Sequence, residues 1–389
     1  MASFDSIINK AKKDWNCPGL MDGALAARGA KIPFSSPLLN YMTYGGVPRN
    51  KISIFYGNPS GGKTSTSVDI CKNAFKLFQQ EYTDQLSKLR TEYANGNKQV
   101  AADMDDLEER GPKKVLYLDL EHSFDAAWSA KLGLDSGDIE VMQPPDVPAE
   151  DILQKLKLLI ESGEVGMVVI DSIPSLVPKT ELEKDFGERT VAASAGLLTI
   201  FCRKMVPLLT RYNCTMILVN QIRENMDNPY VPSMPGGKAL QFYASMMAEF
   251  RIGSPVDFLG NELPKSAENP AGYIINVKLT KQKSAPFDRK NASYHLMEAS
   301  GIRIDMDFAD LAVNKYQIIK KSGAWYSLSD PITKDPLEDS EGKPIRLQGM
   351  AKVLDYLQQN PEYFDKLQKF VISDIEGHPV LDSAEVENE

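Results

Sequence analysis

Gly57-Asn58-Pro59-Ser60-Gly61-Gly62-Lys63-Thr64 is the stretch that decides the fold. It has the form G-x-x-x-x-G-K-[ST], in which glycines let the backbone turn so that its N–H groups face a phosphate. It stands between an apolar strand-like run, Ile52–Tyr56, and a helix-like run from Thr64 to Leu77. That context matters, because the helix adds the positive end of its dipole to the loop amides. On this reading Gly57 to Ser65 line the phosphates of a nucleotide. Lys63 reaches the β- and γ-phosphates, and the hydroxyl of Thr64 binds Mg²⁺. A Gly/Ser-rich loop that fits by chance is the plain alternative, and the strand before and helix after weigh against it.

Working outward, Val115–Leu118, Met167–Ile170 and Thr215–Val219 are further strand-like runs separated by helix-length segments. With Ile52–Tyr56 they predict parallel strands joined by crossover helices. The four runs are followed by Gly57, Asp119, Asp171 and Asn220. Ligands of open α/β sheets bind beyond the carboxyl ends of the strands, so these endings describe one nucleotide pocket. Met247–Ile252 and Tyr273–Leu279 read as two more strands.

Asp171 follows Met167-Val-Val-Ile170, the pattern of an acid that holds Mg²⁺ through water. Many buried strands end in Asp, and only the upstream P-loop makes the reading specific. Glu121 lies in Asp119-Leu-Glu-His-Ser-Phe-Asp125, just past a strand end, where a carboxylate can orient the water attacking a γ-phosphate. Asp119 competes for that role, and either acid could instead cap the following helix.

The chain has 389 residues, 42% hydrophobic and 25% charged, which is ordinary for a globular protein and long enough for two domains. No apolar run suggests a bilayer span, and the N-terminus lacks the basic-then-apolar order of a secretory signal. Cys17, Cys71, Cys202 and Cys214 are scattered, which points to reduced thiols and a cytoplasmic location, not to disulfides or zinc. A net charge of −9 argues against a generic nucleic-acid coat. Six acids and no Lys or Arg follow Lys369, however, leaving −3 on the rest of the chain. Such a tail is either a solvated end or a competitor with DNA for a basic surface.

Taken together, the chain resembles the bacterial RecA recombinase family, phage-encoded relatives included, over roughly Lys31 to Val371. The carriers are Gly57–Thr64, Asp119–Asp125, Val169-Ile-Asp-Ser172, Val219-Asn-Gln-Ile-Arg223, Gly236–Ser245, Lys281-Gln-Lys-Ser-Ala-Pro-Phe287 and Gly323-Ala-Trp-Tyr326. A generic P-loop ATPase would share only the first and third. The resemblance implies an α/β fold: a RecA-type P-loop ATPase core (31–305) with a mostly parallel, twisted sheet flanked by helices. A short N-terminal polymerisation helix and linker (1–30) would precede it. A small C-terminal α/β domain (306–371) and an acidic disordered tail (372–389) would follow.

It also implies roles by position. Glu121 looks like the catalytic glutamate, and Gln221 like a γ-phosphate sensor at the root of a DNA-binding loop. Asp125 and Trp128 fall where the family contacts adenine. Lys281 and Lys283 match a pair that reaches across the subunit interface to the neighbour's ATP, and Phe242 matches a residue linking the second loop to that site. DNA-binding loops are expected at about 183–191, with Lys184, Arg189 and Val191, and at about 222–237, with Arg223, Met226, Tyr230, Gly236 and Gly237. Arg203 is expected to contact phosphate. The implied cofactors are ATP and Mg²⁺. The implied partners are single-stranded DNA, homologous double-stranded DNA, further copies of the chain in a helical filament, and a single-strand-binding protein or loader, with no membrane.

The chain departs from the family pattern at Gly196, Met247 and Glu298, in a shorter second loop and in a charged insertion at 79–113, read as two helical pieces around a turn. Residues 4–15 carry an amphipathic helical stripe, 305–322 read as helical, and 349–359 and 362–371 read as a helix pair. The activity so implied is ATP-dependent strand exchange in recombination and repair. The alternatives are a RecA-fold motor or helicase and a mediator that does not exchange strands.

Overall fold

The computed structural model describes Ser6, Lys10 and residues 30–135, 137–184, 191–222 and 234–377. The strands are β1 (Lys31–Ile32), β2 (Val47–Pro48), β3 (Ile52–Gly57), β4 (Lys114–Asp119), β5 (Glu140–Met142), β6 (Val165–Asp171), β7 (Thr215–Gln221), β8 (Met246–Val256), β9 (Gly272–Gln282), β10 (Asn291–Met297), β11 (Gly301–Ile302), β12 (Ile319–Ser322), β13 (Trp325–Leu328) and β14 (Arg346–Gln348). The helices are α1 (Pro37–Thr43), α2 (Lys63–Ala94), α3 (Ala101–Arg110), α4 (Ala126–Lys131), α5 (Ala149–Glu161), α6 (Lys179–Leu182), α7 (Val191–Arg211), α8 (Gly237–Tyr243), α9 (Ile304–Asp310), α10 (Met350–Gln359) and α11 (Pro361–Glu376).

Nine strands form the central sheet in the order β11-β10-β9-β8-β3-β7-β6-β4-β5. From β8 to β5 every pairing is parallel, and β9, β10 and β11 extend the sheet antiparallel. The parallel strands are apolar on both faces because helices cover both. On β3, Ile52 and Ile54 join the core under α5 and α7, and Phe55 joins the core under α2. β12, β13 and β14 form a separate antiparallel sheet whose core is shared with α9, α10 and α11.

Several elements depart from the sequence reading. The helix after the P-loop does not stop near Leu77. No Gly or Pro interrupts Thr64–Ala94, so α2 runs for 32 residues and forms the first piece of the charged insertion. At 1.5 Å per residue it is about 48 Å long. Asn95-Gly96 turns the chain back into α3. Residues 305–322 are not one helix: α9 ends at Asp310, a π-turn follows, and Gln317 at φ +52° leads into β12. Gly323, at φ +61°, and Ala324 then close a hairpin in which Ser322 faces Trp325. The segment from 372 begins no tail, since α11 continues to Glu376 with Ile375 buried and Asp374 accepting from the Tyr316 hydroxyl at 2.8 Å. Among the described residues one segment, Ala193–Arg211 in α7, is long and apolar enough to cross a membrane. Its Leu198, Phe201, Cys202, Met205 and Leu209 are instead buried in the core beneath α5. The expected N-terminal stripe lies outside the described residues apart from Ser6 and Lys10, which are helical. Of the acidic tail, residues 378–389 also lie outside them.

A buried polar contact ties α1 to α9. Ser36, the N-cap of α1, donates through Oγ to Asp307 Oδ2, and the Leu38 amide donates to the same carboxyl group. Asp307 is 1% exposed and its Oδ1 is buried without a hydrogen-bond partner. Burial pushes its pKa well above the usual carboxylate range. The two donors oppose the shift, and the Asp310 and Asp305 carboxylates add to it. A carboxyl with a raised folded-state pKa stabilises the fold while protonated, and that contribution is lost as pH rises above 3.8 through the folded value. Asp307→Asn is therefore expected to gain on the order of 1–3 kcal/mol over wild type at pH 8 and little at pH 5. Urea unfolding at both pH values checks this, and an equal difference at the two would contradict it.

Candidate functional site

Close backbone packing makes the phosphate cradle. A Cβ at Gly57, where φ is +151°, would lie 2.1 Å from the Phe250 carbonyl oxygen on β8, and one at Gly61 would lie 2.9 Å from the same oxygen. Only glycine lets the loop sit this close to the neighbouring strand. Gly62 is the N-cap of α2 and no side chain caps the helix, which leaves its first N–H groups for an anion. Asn58, Pro59 and Ser60 form the exposed crest of the loop. Lys63 is buried beneath it, and its Nζ donates to the Asn58 carbonyl oxygen at 2.7 Å. Burial lowers the Lys63 pKa, and Asp171 and Glu121 act against that shift.

At the end of β6, Asp171 is 3% exposed. Its Oδ2 accepts from Thr64 Oγ1 at 2.8 Å and from the Tyr117 hydroxyl at 2.6 Å. Burial raises its pKa, the two hydroxyls oppose the rise, and Glu121 and Asp119 reinforce it. A hydroxyl and a carboxylate in contact at a helix N-terminus suit a hard divalent cation. Among the described residues no group of three or more His, Cys, Asp or Glu could hold a metal. A cation beside Thr64 and Asp171 would therefore take its remaining ligands from phosphate and water.

The two rival acids stand in different surroundings. Asp119 is 1% exposed, and its carboxylate accepts from the amides of Ser123 (3.1 Å) and Phe124 (2.9 Å) and from Gln143 Nε2 (2.7 Å). It holds the turn that carries Glu121. Glu121 is exposed, and its Oε1 accepts from Ser172 Oγ and, at 3.1 Å, from Gln221 Nε2. Gln221 is the last residue of β7, immediately before the second expected DNA loop.

Asp125 caps α4, its Oδ1 accepting from the amides of Ala127 and Trp128 at 2.8 and 3.0 Å. The Trp128 indole Nε1–H donates to Ser65 Oγ at 3.0 Å, which fixes the ring beside the first turn of α2. Lys281 and Lys283 lie elsewhere, at the C-terminal end of α8. Lys281 Nζ donates to the carbonyls of Gln241 and Phe242, and Lys283 Nζ to that of Phe242 at 3.2 Å. Burial, then the neighbouring Lys283, lowers the Lys281 pKa. Phe242 itself is 70% exposed.

Of the residues expected at nucleic acid, Lys184 follows α6, Val191 opens α7 and Arg203 is exposed on α7. Gly236 has φ +92°, and a Cβ there would lie 2.3 Å from Leu240 Cδ1 and 2.9 Å from Leu198 Cδ1. The left-handed backbone favours glycine where α8 meets α7, since the leucine tips could shift, and Gly237 follows it as the first residue of α8. Arg189, Arg223, Met226 and Tyr230 lie outside the described residues. The sequence reading gave no role to Tyr117 or Ser172, the donors to Asp171 and Glu121. Ser172 adjoins Asp171 in the chain, whereas nothing in the local pattern marks Tyr117 among the apolar residues of β4.

Comparison with known proteins accords with this arrangement. A profile of the RecA N-terminal domain matches residues 104–303. The chain belongs to the RecA family. Protein RecA of Clostridium tetani is 31% identical over 334 residues, covering 84% of this chain and 77% of the relative. Protein RecA of Bacteroides thetaiotaomicron is 33% identical over 304 residues, 77% of this chain and 78% of the relative. Protein RecA of Thermus aquaticus is 29% identical over 331 residues, 84% and 80% respectively. The RecA family serves recombination and repair through strand exchange. Its members are DNA-dependent ATPases that bind ATP with Mg²⁺, act on single-stranded DNA and form filaments.

Tyr117 gives a direct test of the Asp171 site. Tyr117→Phe removes a donor that holds the Asp171 pKa down, so the carboxylate should protonate at higher pH. Mg²⁺-dependent ADP binding should weaken roughly threefold to tenfold at pH 6 and less at pH 8. Calorimetric titration at both pH values measures it, and equal weakening at the two would show that Asp171 does not titrate there.

Proposed function

We propose that this chain hydrolyses ATP at Gly57–Ser65, polymerises on single-stranded DNA and uses the filament to pair and exchange homologous strands. The observation that carries the reading is the hydrogen bond from Gln221 Nε2 to Glu121 Oε1. It joins the exposed carboxylate beside the P-loop to the residue from which the second DNA loop departs. Such a contact couples occupancy of the loop to the position of the water-orienting group, as a DNA-dependent ATPase requires.

In this reading Glu121 orients and accepts a proton from the attacking water, and Ser172 and Gln221 position its carboxylate. Lys63 and the N-terminus of α2 stabilise negative charge on the phosphates, and Thr64 and Asp171 hold Mg²⁺. Bound ATP supplies the phosphoryl group and Mg²⁺ neutralises its charge. Lys281 and Lys283 act on a neighbouring subunit. An ammonium group has three N–H donors. Two carbonyl bonds from Lys281 and one from Lys283 leave donors for an anion across an interface. Lys184, Arg189, Val191, Arg203, Arg223, Met226, Tyr230, Gly236 and Gly237 form the DNA-binding set. Base pairing between the strands supplies the sequence information, while these residues engage backbone and base faces.

Glu121→Gln should lower DNA-stimulated turnover about 100-fold or more while ADP binding persists. Lys63→Ala should lose both, and unchanged turnover in the two variants would defeat the assignment. Lys281→Ala/Lys283→Ala should bind ADP as wild type does yet lose DNA stimulation of hydrolysis. Full stimulation in that double variant would remove the lysines from the active site. The reading as a whole is tested by joint-molecule formation from a labelled single strand and supercoiled duplex with Mg²⁺-ATP. Product is expected with homologous duplex only, and its absence despite DNA-stimulated hydrolysis would favour a translocating motor.

A further inference from the structure

Among the described residues, the end of β9 that bears Lys281 is paired with a strand on one side only. β9 pairs with β8 as far as Gln282, opposite Met246. Its ladder with β10 ends at Lys278 opposite Asn291, with one further bond from the Leu279 amide to the Lys290 carbonyl at 2.7 Å. On the side that β10 leaves open, α1 takes the place of a strand. Side chains alternate along a strand, so Gln282 faces away from the lysines on either side of it. They reach the carbonyls at the end of α8, and Gln282 Nε2 donates to the Thr43 carbonyl oxygen at the end of α1, at 3.3 Å. The same oxygen accepts from Lys31 Nζ at 2.7 Å. The chain then crosses residues 283–290 and is fastened to α1 a second time. The guanidinium carbon of Arg289 lies 3.9 Å from the ring centre of Tyr41 and 4.0 Å from that of Tyr44. Its Nη1 donates to the Tyr41 carbonyl oxygen at 3.0 Å, and the Tyr44 hydroxyl donates to the Asp288 carboxylate at 2.7 Å. A planar guanidinium packed against two rings and hydrogen-bonded at its edge has little freedom left.

We propose that Arg289 is a positioning residue for the lysine pair: its clamp on Tyr41 and Tyr44 holds the end of β9 where Lys281 and Lys283 meet a nucleotide bound to the neighbouring subunit. This inference rests on the reading of those lysines as acting across an interface. An ammonium group on a flexible stem follows its backbone, and a misplacement of about 1 Å is enough to cost a catalytic group much of its effect. The two fastenings on α1, through Gln282 and through Arg289, bracket Lys283 and fix both ends of the segment that carries it. The anchor is itself held from behind. Tyr41 meets Tyr316 edge-on with ring centres 6.4 Å apart, and Tyr316 packs on the core of the C-terminal sheet. Arg289 acts through the backbone it fixes and touches no reacting atom.

The test mixes full-length subunits and reads DNA-stimulated ATP turnover. In a head-to-tail assembly a site takes its P-loop from one subunit and its lysines from the next, so a neighbour corrects misplaced lysines but not a damaged cradle. Arg289→Ala alone should lower turnover about 10- to 100-fold and change ADP affinity by less than about twofold. Gln282→Ala, which removes the other fastening, should do the same. Glu121→Gln hydrolyses little but keeps its lysines. Mixed with it in equal amounts, each Arg289→Ala subunit should regain roughly half the wild-type turnover, because about half of its sites then face an intact pair. Mixed with Lys281→Ala/Lys283→Ala it should regain nothing. Turnover near wild type in Arg289→Ala overturns the proposal. So does rescue by the lysine variant, which would mean poor assembly of subunits whose lysines are sound, and so does a lack of rescue by Glu121→Gln, which would mean damage to the variant's own site. Full stimulation of Lys281→Ala/Lys283→Ala by itself would overturn the reading of the lysines, and the proposal with it, and is recognised separately.

Discussion

The register of parallel strands places the polar ends together, and the nucleotide end of the molecule depends on it. Gly57 stands opposite Gln221 and Asp119 opposite Asp171, so the loop, the buried acid, the turn bearing Glu121 and the amide of Gln221 emerge along one edge. Side chains alternate along a strand, so a slip of one residue between β6 and β4 would turn Asp171 away from Thr64 and Tyr117. Two cores prevent that slip. Val169 lies in one and Val168 and Ile170 in the other, and each is fully buried. Displacing either set would expose apolar surface or overfill the opposite face. The chemistry at the edge is held by packing that touches no ligand.

The sheet and its loop were legible in the chain because they rest on short-range patterns. A run of β-branched residues, a glycine-rich loop and a following helix each fit within about a dozen residues. Choosing between Asp119 and Glu121 was not possible by spacing, since both lie within one turn of the strand end. Burial separates them: Asp119 is enclosed with two amides and Gln143, and Glu121 faces solvent. Tyr117 was invisible for a related reason. On a strand buried on both faces a tyrosine reads as another core residue, and its partner Asp171 belongs to a strand far along the chain. The helical reading of 305–322 failed because Gln317 and Gly323 set the backbone locally, and such φ values are not written in apolar spacing. The reading of 372–376 failed because acidic composition outweighed a single buried residue, Ile375.

Electrostatics at the site works against the charge of the whole chain. The net charge is −9, yet a polyanion must be bound on two fronts. The site answers locally. Lys63 lies beside Asp171 and Glu121, and away from the cradle, at the end of α8, burial and the neighbouring Lys283 lower the Lys281 pKa, so that an anion placed there would be favoured. The ammonium groups of Lys281 and Lys283 also meet the carbonyl, negative end of α8, which keeps them in place.

The charged insertion fits the same logic of separation. α2 begins at the cradle and points away from it, so residues beyond Phe78 lie more than about 20 Å from Lys63 along the helix axis. After Phe78 only Leu86 of α2 is buried, and α3 returns along it with Arg90 paired to Glu108 at 2.8 Å. Exposed ion pairs of this kind contribute little. The arm therefore adds neither strain nor support at the nucleotide edge, and a segment of this length is accommodated there because nothing in the site passes through it. It does separate the P-loop in sequence from the next strand of its own sheet. The family match, residues 104–303, begins within the arm. The register of β3 against β7 and β8 shows that the separation is one of sequence alone, since Gly57 and Gln221 remain opposite each other.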